Sequence, residues 1–365
     1  MRGLSHPTNY LTVRNMISEN RNIAVDAIKG VMILLIVLHH LGLIPILKHG
    51  YLAVDMFFMI SGYYLSNHFY SKGGTAAQYT ARRINTVLLP YILSLLLASI
   101  LDYKRLISFH GFNGFMETYG PYVSFLTFTE ELGFIDHWPI ILFGGWFLSV
   151  LIISGFLLYG LLEYNERQTI KVILPFSVLL GFTYLFSINP STDNFSVIGA
   201  ISVPLLRGYL DMGVGVLIFD LIRNNREGLQ QRKSLFTVLA CMAFVYFMAM
   251  VFVQKSMDSY CVIAFPLIIT GVMLPDSPIK LFYERFPTKI LAWLGGLTLE
   301  IYVIHQPVIH IIHSCFKYLG IPNNPIVKTI TCLAFVIVAA IILRIICRHI
   351  RSICRRTPII HKKTV

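Results

Sequence analysis

The sequence of residues 23–42, IAVDAIKGVMILLIVLHHLG, decides the fold class of this chain. It has roughly the 20 apolar residues that an α-helix needs to cross the hydrocarbon core of a bilayer. It also contains ionisable side chains, which are costly inside a membrane and usually serve a function there. The segment therefore predicts a membrane-spanning helix with a functional polar face. Its ionisable residues are Asp26, Lys29, His39 and His40.

Nine further apolar runs follow along the chain. The composition agrees with a membrane protein, because 56% of the 365 residues are hydrophobic and 13% are charged, whereas a soluble domain has about 25% charged residues. Backbone polar groups in hydrocarbon must be paired internally, which favours helices over open strands. The sequence predicts an all-α polytopic bundle of about ten transmembrane helices. The further runs are 51–70, 84–101, 141–162, 171–188, 200–222, 235–254, 258–274, 290–316 and 325–348.

The distribution of Lys and Arg predicts the orientation of this bundle. With ten spans both chain ends lie on one side, where 22 of the 30 Lys and Arg residues fall, against 6 in the opposite loops. Basic residues are enriched in cytoplasmic loops, so the prediction is N-in and C-in. This bias also explains the net charge of +12 without a nucleic-acid partner. The predicted organisation is a cytoplasmic N-terminal arm (1–22), a transmembrane domain (23–348) and a basic cytoplasmic tail (349–365).

The first span places a cation and an imidazole on one helical face. Lys29 and His40 are eleven residues apart, which is within about 20° of three full turns. Asp26 lies three residues before Lys29 and can pair with it. These side chains could line an internal polar path, or Asp26 and Lys29 could form an ion pair at the inner surface. His39 points about 100° away from His40, and one of these histidines could lie near the outer headgroups.

Asp55, near the outer end of the second span, is the candidate partner of His40. The two spans form a hairpin, so both side chains could meet at similar depth. A carboxylate beside an imidazole raises its basicity and fixes its tautomer, as a general base requires. The alternative is that Asp55 only begins a helix.

Later spans contain further candidate residues. Arg207 and Asp211 have the i, i+4 spacing of a pair that satisfies itself, although the Arg207 guanidinium is also a candidate for binding an acidic ligand. Glu300 and His305 lie in the ninth span, five residues apart, so they do not stack directly. Pro307 permits a kink beside His305.

The longest predicted loop, roughly 102–140, lies outside and contains aromatic and acidic side chains. A loop of this length is usually functional or disordered, and the aromatic content argues against disorder. Aromatic rings beside carboxylates suit sugar faces and hydroxyls; an interfacial aromatic belt is the alternative. The six cysteines lack zinc-ligand spacing, so neither a metal site nor a disulfide framework is predicted. The loop residues include Tyr119, Tyr122, Glu130, Glu131, Asp136 and Trp138.

Five motifs occur in order along the chain: VDAIKGVMILLIVLHH, GYLAVDMFFMISGYYL, ARRINTVLLPY, GGWFLSVLI and LGGLTLEIYVIHQPV. Together they resemble the acyltransferase-3 family of integral membrane acyltransferases, and the resemblance covers nearly the whole chain. It includes a basic residue followed, after ten intervening residues, by a histidine, here Lys29 and His40. Many members have a third arginine where this chain has Thr86, and a glutamate where it has Leu151. The second departure suggests a branch with a different acceptor.

The resemblance implies an O-acetyltransferase type of enzyme, which moves an acyl group from cytoplasmic acyl-CoA, usually acetyl-CoA, to a sugar hydroxyl outside. It implies no bound cofactor, since acyl-CoA is a co-substrate. The expected partners are this donor, a glycan or lipid-linked sugar acceptor, and membrane lipid. The expected location is the bacterial plasma membrane.

Each candidate residue has an expected role in this chemistry. A hydroxyl needs a base, and His40 is the candidate to deprotonate it or to carry the acyl group briefly. Asp55 could orient His40, and Lys29 could stabilise negative charge or steer the donor. Arg82 and Arg83 lie where CoA phosphates would arrive, or they only anchor the topology. The further site candidates are Glu300, His305 and Arg207.

Two rival functions fit the composition. One is a transporter or flippase for a glycan or lipid-linked intermediate, and the other is a non-catalytic component of a polysaccharide assembly system. A histidine on the Lys29 face favours the enzyme, because translocation alone needs no base.

Overall fold

The computed structural model describes most of the chain from residue 22 to residue 356. The described residues are 22–43, 47–108, 111–132, 142, 144–198, 201–253, 258–274, 277–285, 289–322 and 324–356.

Within these ranges the chain is mainly helical. The first half contains α1 (Ile23–Leu41), α2 (Ala53–Lys72), α3 (Ala76–Leu101), α4 (Tyr103–Ile107), α5 (Gly111–Thr127), α6 (Gly145–Gln168) and α7 (Leu174–Ile188). A two-residue antiparallel pair follows, β1 (Val197–Ile198) and β2 (Ile201–Ser202). The second half contains α8 (Val203–Asn224), α9 (Arg226–Gln231), α10 (Lys233–Phe252), α11 (Asp258–Met273), α12 (Pro278–Arg285), α13 (Lys289–Gly296), α14 (Thr298–Tyr318) and α15 (Pro325–Arg356).

Local capping sets the ends of α1. The Asn22 side chain accepts hydrogen bonds from the backbone N–H groups of Ala24 and Val25 at 3.1 and 3.2 Å, which satisfies donors that a helix start leaves open. Gly42 follows the helix with φ of 61°, a left-handed conformation that glycine adopts without steric cost. The observed helix therefore begins and ends close to the predicted run 23–42.

Among the described residues, five helices are long and apolar enough to cross a membrane by length and composition. The predicted runs all coincide with helices in the described ranges, but the number of ten spans and the N-in, C-in orientation stay predictions. The five helices are Ile23–Leu41, Ala76–Leu101, Gly145–Ile188, Lys233–Phe252 and Pro325–Cys354.

Three segments differ from their predicted form. The long helical segment Gly145–Ile188, which comprises α6 and α7, bends at Asn165, whose backbone is non-helical. It continues through a π-helical turn at Thr169–Ile173. The predicted run 290–316 divides at Leu297 into α13 and α14. The predicted loop 102–140 contains the helices α4 and α5, because its aromatic and apolar residues are frequent enough to form a packed helical face.

Glycines allow the closest helix packing in the bundle. A Cβ atom on Gly62 of α2 would clash with the Met212 backbone of α8, and one on Gly215 of α8 would clash with the Met59 backbone of α2. The α1–α13 pair has the same arrangement, because a Cβ on Gly295 would clash with the Asp26 carbonyl. Small residues of this kind let membrane helices approach to backbone contact.

The two ends of the described chain lie on the same face of the bundle. Gly295 packs against Asp26 near the start of α1, and the next residue, Gly296, accepts a hydrogen bond from Arg344 of α15. Further along α15, Arg351 bonds to the backbone of Thr86 in α3. We call this side the terminal face, and the side where α1 ends the distal face.

Candidate active site

Two histidines from distant parts of the sequence meet near the distal face. The ring of His40, at the end of α1, faces the ring of His305 in α14, with centroids 5.0 Å apart. His305 is 1% exposed, whereas His40 is half-buried. Because α1 and α14 pack against each other, His305 is the residue that contacts the candidate base His40. The sequence analysis had expected Asp55 in this role.

Backbone carbonyl groups fix the tautomers of both rings. His40 Nδ1 lies 2.8 Å from the Ile36 carbonyl oxygen, and His305 Nδ1 lies 2.6 Å from that of Tyr302. A carbonyl oxygen can only accept a hydrogen bond, so each Nδ1 carries the proton and donates it. In a neutral imidazole the lone pair then lies on Nε2. Both rings therefore present Nε2 as the basic atom.

Asp55 does not orient His40, so this expectation from the sequence is corrected. The buried Asp55 carboxylate accepts hydrogen bonds from the Arg207 Nε–H and, at 3.2 Å, from the Thr192 hydroxyl. The glycine contacts between α2 and α8 explain this choice, because they bring the distal ends of the two helices together. Asp55 instead fixes the position of a guanidinium.

Arg207 and Asp211 do not form the expected i, i+4 pair. The Arg207 side chain is directed toward Asp55 and also donates to the Thr192 carbonyl oxygen at 2.6 Å. Both Asp211 oxygens are buried and accept no hydrogen bond in the described part of the chain. Burial and a better-placed acceptor on the neighbouring helix thus outweigh the local spacing.

The sequence analysis missed a second carboxylate of this site, Asp258. It is 1% exposed, and its Oδ2 accepts from the Tyr51 hydroxyl at 2.8 Å and the Thr192 N–H at 2.7 Å. The only sequence signal was an acidic residue at the very start of the apolar run 258–274. We call the connected residues the polar network. Its members are His49, Tyr51, Asp55, Ser191, Thr192, Arg207 and Asp258.

The second histidine of the adjacent pair faces this network. The ring of His39 packs edge-on against Tyr51, with centroids 5.5 Å apart. The rings of His39 and His40 also contact each other, with centroids 5.3 Å apart, but His40 faces His305 and His39 faces the network. This agrees with the roughly 100° between consecutive residues of a helix.

Lys29 and Glu300 lie near the terminal face, away from the histidine pair. Lys29 Nζ bonds to the Asp26 carboxylate at 3.0 Å, which is the ion pair that the sequence offered as an alternative. Glu300 accepts from Arg344 Nε at 2.9 Å and from its second nitrogen at 2.7 Å. Because both Glu300 oxygens bond to Arg344, this ion pair stabilises the packing of α14 against α15.

The predicted donor-binding arginines lie at the terminal end of α3. Arg82 is exposed and Arg83 is half-buried, and Arg82 donates to His68 Nε2 at 3.1 Å. Arg351 of α15 reaches the same segment and donates to the Thr86 carbonyl oxygen at 2.8 Å. A guanidinium from the last helix therefore lies beside Thr86, the position at which the resemblance led us to expect a third arginine.

The segment after α5 holds a buried carboxyl group at the distal end of α6. Phe128 has φ of 56°, a left-handed conformation unusual for a bulky residue, and Ser149 of α6 donates to its carbonyl oxygen at 2.7 Å. Both carboxyl oxygens of Glu130 are buried, and neither has a hydrogen-bond partner among the described residues. Burial raises the pKa of Glu130 to about 8, with a smaller contribution from Glu131. Asp136 and Trp138 lie outside the described residues.

The described residues contain no group of three or more His, Cys, Asp or Glu side chains that could hold a metal ion.

Comparisons with known proteins agree with this description. The acyltransferase-3 family model, described as an acyltransferase domain, matches residues 22–345. No curated protein and no solved structure matches the chain. The membrane-length apolar helices and this domain together describe a multi-pass integral membrane protein. Because the match covers most of the 365 residues, the chain belongs to the acyltransferase-3 family of membrane acyltransferases.

Proposed function

We propose that this acyltransferase moves an acetyl-type acyl group from cytoplasmic acyl-CoA to a hydroxyl group of an extracytoplasmic glycan or lipid-linked sugar. The observation that carries the proposal is the facing pair of His40 and His305, whose Nδ1 protons are committed to backbone carbonyls. Each ring keeps its lone pair on Nε2, the form that removes a proton from a hydroxyl. A transporter or flippase would need no such base.

The proposed reaction uses His40 as a general base. Nε2 of His40 takes the proton of the sugar hydroxyl while the hydroxyl oxygen forms a bond to the thioester carbonyl carbon. The carbonyl π electrons move onto the carbonyl oxygen and return when the carbon–sulfur bond breaks. The departing CoA thiolate takes the proton from the His40 imidazolium, so an ester and free CoA thiol are formed. His305 packs against the ring and holds its orientation.

The donor enters from the terminal face in this proposal. Arg82, Arg83 and Arg351 supply guanidinium groups at the end of α3, and planar guanidinium forks suit phosphate. Lys29 lies about 16 Å below His40 along α1, on the same helical face. A thioester arm that follows this face passes Lys29 before it reaches the base.

The decisive experiment compares cells of the source bacterium with and without the gene. We expect ester-linked acyl groups on the surface glycan only when the gene is present, and plasma-membrane fractions that release CoA thiol from acetyl-CoA in the presence of that glycan. Equal ester content in both strains would contradict the proposal and would favour the transporter or the non-catalytic component.

A further inference from the structure

Arg207 is a buried guanidinium that two partners hold in place. Its Nε–H donates to the Asp55 carboxylate, and its Nη1–H donates to the Thr192 carbonyl oxygen at 2.6 Å. The residue is 3% exposed. Asp55 lies on α2 and Thr192 lies in the segment between α7 and β1, so three parts of the chain fix the plane of the guanidinium.

The third nitrogen of this group, Nη2, has no hydrogen-bond partner within the part of the chain that the structure describes. Burying a donor without an acceptor destabilises the folded protein, and the cost is greatest for a charged group. Such orphaned donors are rare in native proteins and need a reason. Asp211, one turn further along α8, does not supply an acceptor, because neither of its oxygens accepts a hydrogen bond from any described residue.

Two independent series of contacts connect Arg207 with the histidines. In the first, His305 packs against Tyr302 and Tyr302 against Phe147, with ring centroids 5.8 and 4.9 Å apart. Phe147 in turn packs against Phe58 at 4.5 Å, and Phe58 lies against Gly208, the residue after Arg207. In the second, the polar network runs from Tyr51, which packs against His39, to Arg207. Arg207 therefore belongs to the same packed and hydrogen-bonded region of the bundle as the two histidines.

We infer that Arg207 is a further catalytic residue, whose Nη2–H groups donate to the acyl carbonyl oxygen during transfer. This inference rests on the proposed function. When the acceptor oxygen bonds to the carbonyl carbon, the π electrons place negative charge on the carbonyl oxygen until the carbon–sulfur bond breaks. A fixed cationic donor in a water-poor site stabilises that charge more than it stabilises the neutral carbonyl. Asp55 and Thr192 are positioning residues that act through Arg207.

The test must separate this role from a purely structural one. Arg207→Gln alone leaves the Asp55 carboxylate buried and unpaired, which is itself destabilising. The variant Asp55→Asn with Arg207→Gln removes both charges together and keeps similar side-chain volumes. Asp55→Asn alone is the matched control, since the Thr192 carbonyl still holds Arg207. CoA thiol released from acetyl-CoA, with unmodified surface glycan as acceptor, is measured at matched protein levels together with the Tm in detergent.

We expect the double variant to keep the Tm of the wild type and to lose about 10²-fold in kcat, the size of effect seen when one oxyanion donor is removed. The KM for acetyl-CoA should change less than kcat, and Asp55→Asn should retain more activity than the double variant. A double variant with kcat within a few-fold of the wild type would overturn the inference.

A second variant decides the question if the double variant fails to reach the membrane. Arg207→Lys keeps a positive charge opposite Asp55 but lacks the three-nitrogen fork, so kcat should also fall. Wild-type kcat in Arg207→Lys would overturn the inference. Wild-type membranes that release no CoA thiol would contradict the proposed function instead, so the two failures are distinguishable.

Discussion

The rings of His40 and His305 face each other 5.0 Å apart, although one residue belongs to the first helix and the other to a helix near the end of the chain. Each gives its Nδ1 proton to a carbonyl oxygen of its own helix. Because this bond is made within one turn, the tautomer of each ring is set by local geometry and does not depend on a carboxylate. The site can therefore present a base without the Asp55 contact that the sequence suggested.

The first prediction separates the adjacent histidines. His40→Ala should reduce acyl transfer by about 10²–10⁴-fold, the usual contribution of a general base, at normal protein levels in the membrane. His39→Ala is the matched control, because its ring packs against Tyr51 and not against His305, and it should be much milder. Glycan esters and CoA thiol release are measured for both. Full activity in His40→Ala would remove the basis of the mechanism.

The second prediction concerns orientation. Reporter fusions at Asn224 and after the last residue should both report the cytoplasm, and a fusion at Asn113 should report the exterior, because the basic residues concentrate on the side of the chain ends. An external signal from the C-terminal fusion would require an odd number of spans.

The third prediction tests the contact that brings Asp55 and Arg207 together. Gly62→Ala and Gly215→Ala should each lower the Tm in detergent and the yield of folded protein, since the added Cβ meets backbone that cannot move aside. Gly160→Ala is the control. A Cβ there meets only the Ala76 Cβ at 3.9 Å, and alanine favours a helix by about 1 kcal/mol. Equal Tm values for all three variants would show that the α2–α8 contact is looser than described.

The helices could be predicted from the sequence, whereas the pairing of polar groups could not. Each apolar run is a local property, so the limits of α1 followed from residues 23–42. The cap at Asn22 was not predicted from the sequence. The partner of Arg207 depends on which helix packs beside it. Local spacing favoured Asp211, but the glycine contacts with α2 placed Asp55 closer.

Site residues that lie between helices were the hardest to identify from the sequence. Thr192 belongs to an irregular polar segment with no periodicity, yet its N–H, hydroxyl and carbonyl groups all bond within the polar network. The sequence analysis named His305 only as a candidate residue of a late span and predicted no partner for it. Its meeting with His40 depends on long-range packing of α1 with α14, which no local pattern encodes.

The fourth prediction uses the buried carboxyl group of Glu130. Its pKa in the folded protein is about 8, against the ordinary 4.5, mainly because of burial. Below pH 4.5 the group is protonated in both states. Between pH 4.5 and 8 only the unfolded state loses the proton, so stability should fall as pH rises, by up to about 1.4 kcal/mol per pH unit.

Glu130→Gln should remove this pH dependence and raise the Tm at pH 7, with the difference from the wild type vanishing near pH 4. The charged and titratable groups that act on Glu130 are Tyr91 of α3 and its neighbour Glu131, and both remain in this variant. The exposed Glu117→Gln is the control and should follow the wild-type profile. A Glu130→Gln profile that also parallels the wild type would show that the carboxyl group is solvated.

The fifth prediction concerns the donor side and the arginine supplied by the last helix. Arg351 donates to the carbonyl oxygens of Asn85 and Thr86, at 3.4 and 2.8 Å, which places its guanidinium beside the α3 arginines. If this cluster holds CoA phosphates, Arg351→Gln should raise the KM for acetyl-CoA with little change in kcat, because it removes binding that is equal in the ground and transition states. Arg348→Gln is the matched control, being an exposed arginine on the same helix with the same charge.

An increase in KM specific to Arg351→Gln, and larger still when Arg82 is also replaced by Gln, would mark the cluster as the donor site. If Arg351→Gln and Arg348→Gln change the KM for acetyl-CoA equally, neither arginine binds the donor specifically. Each would then contribute only its positive charge to the orientation of the protein in the membrane.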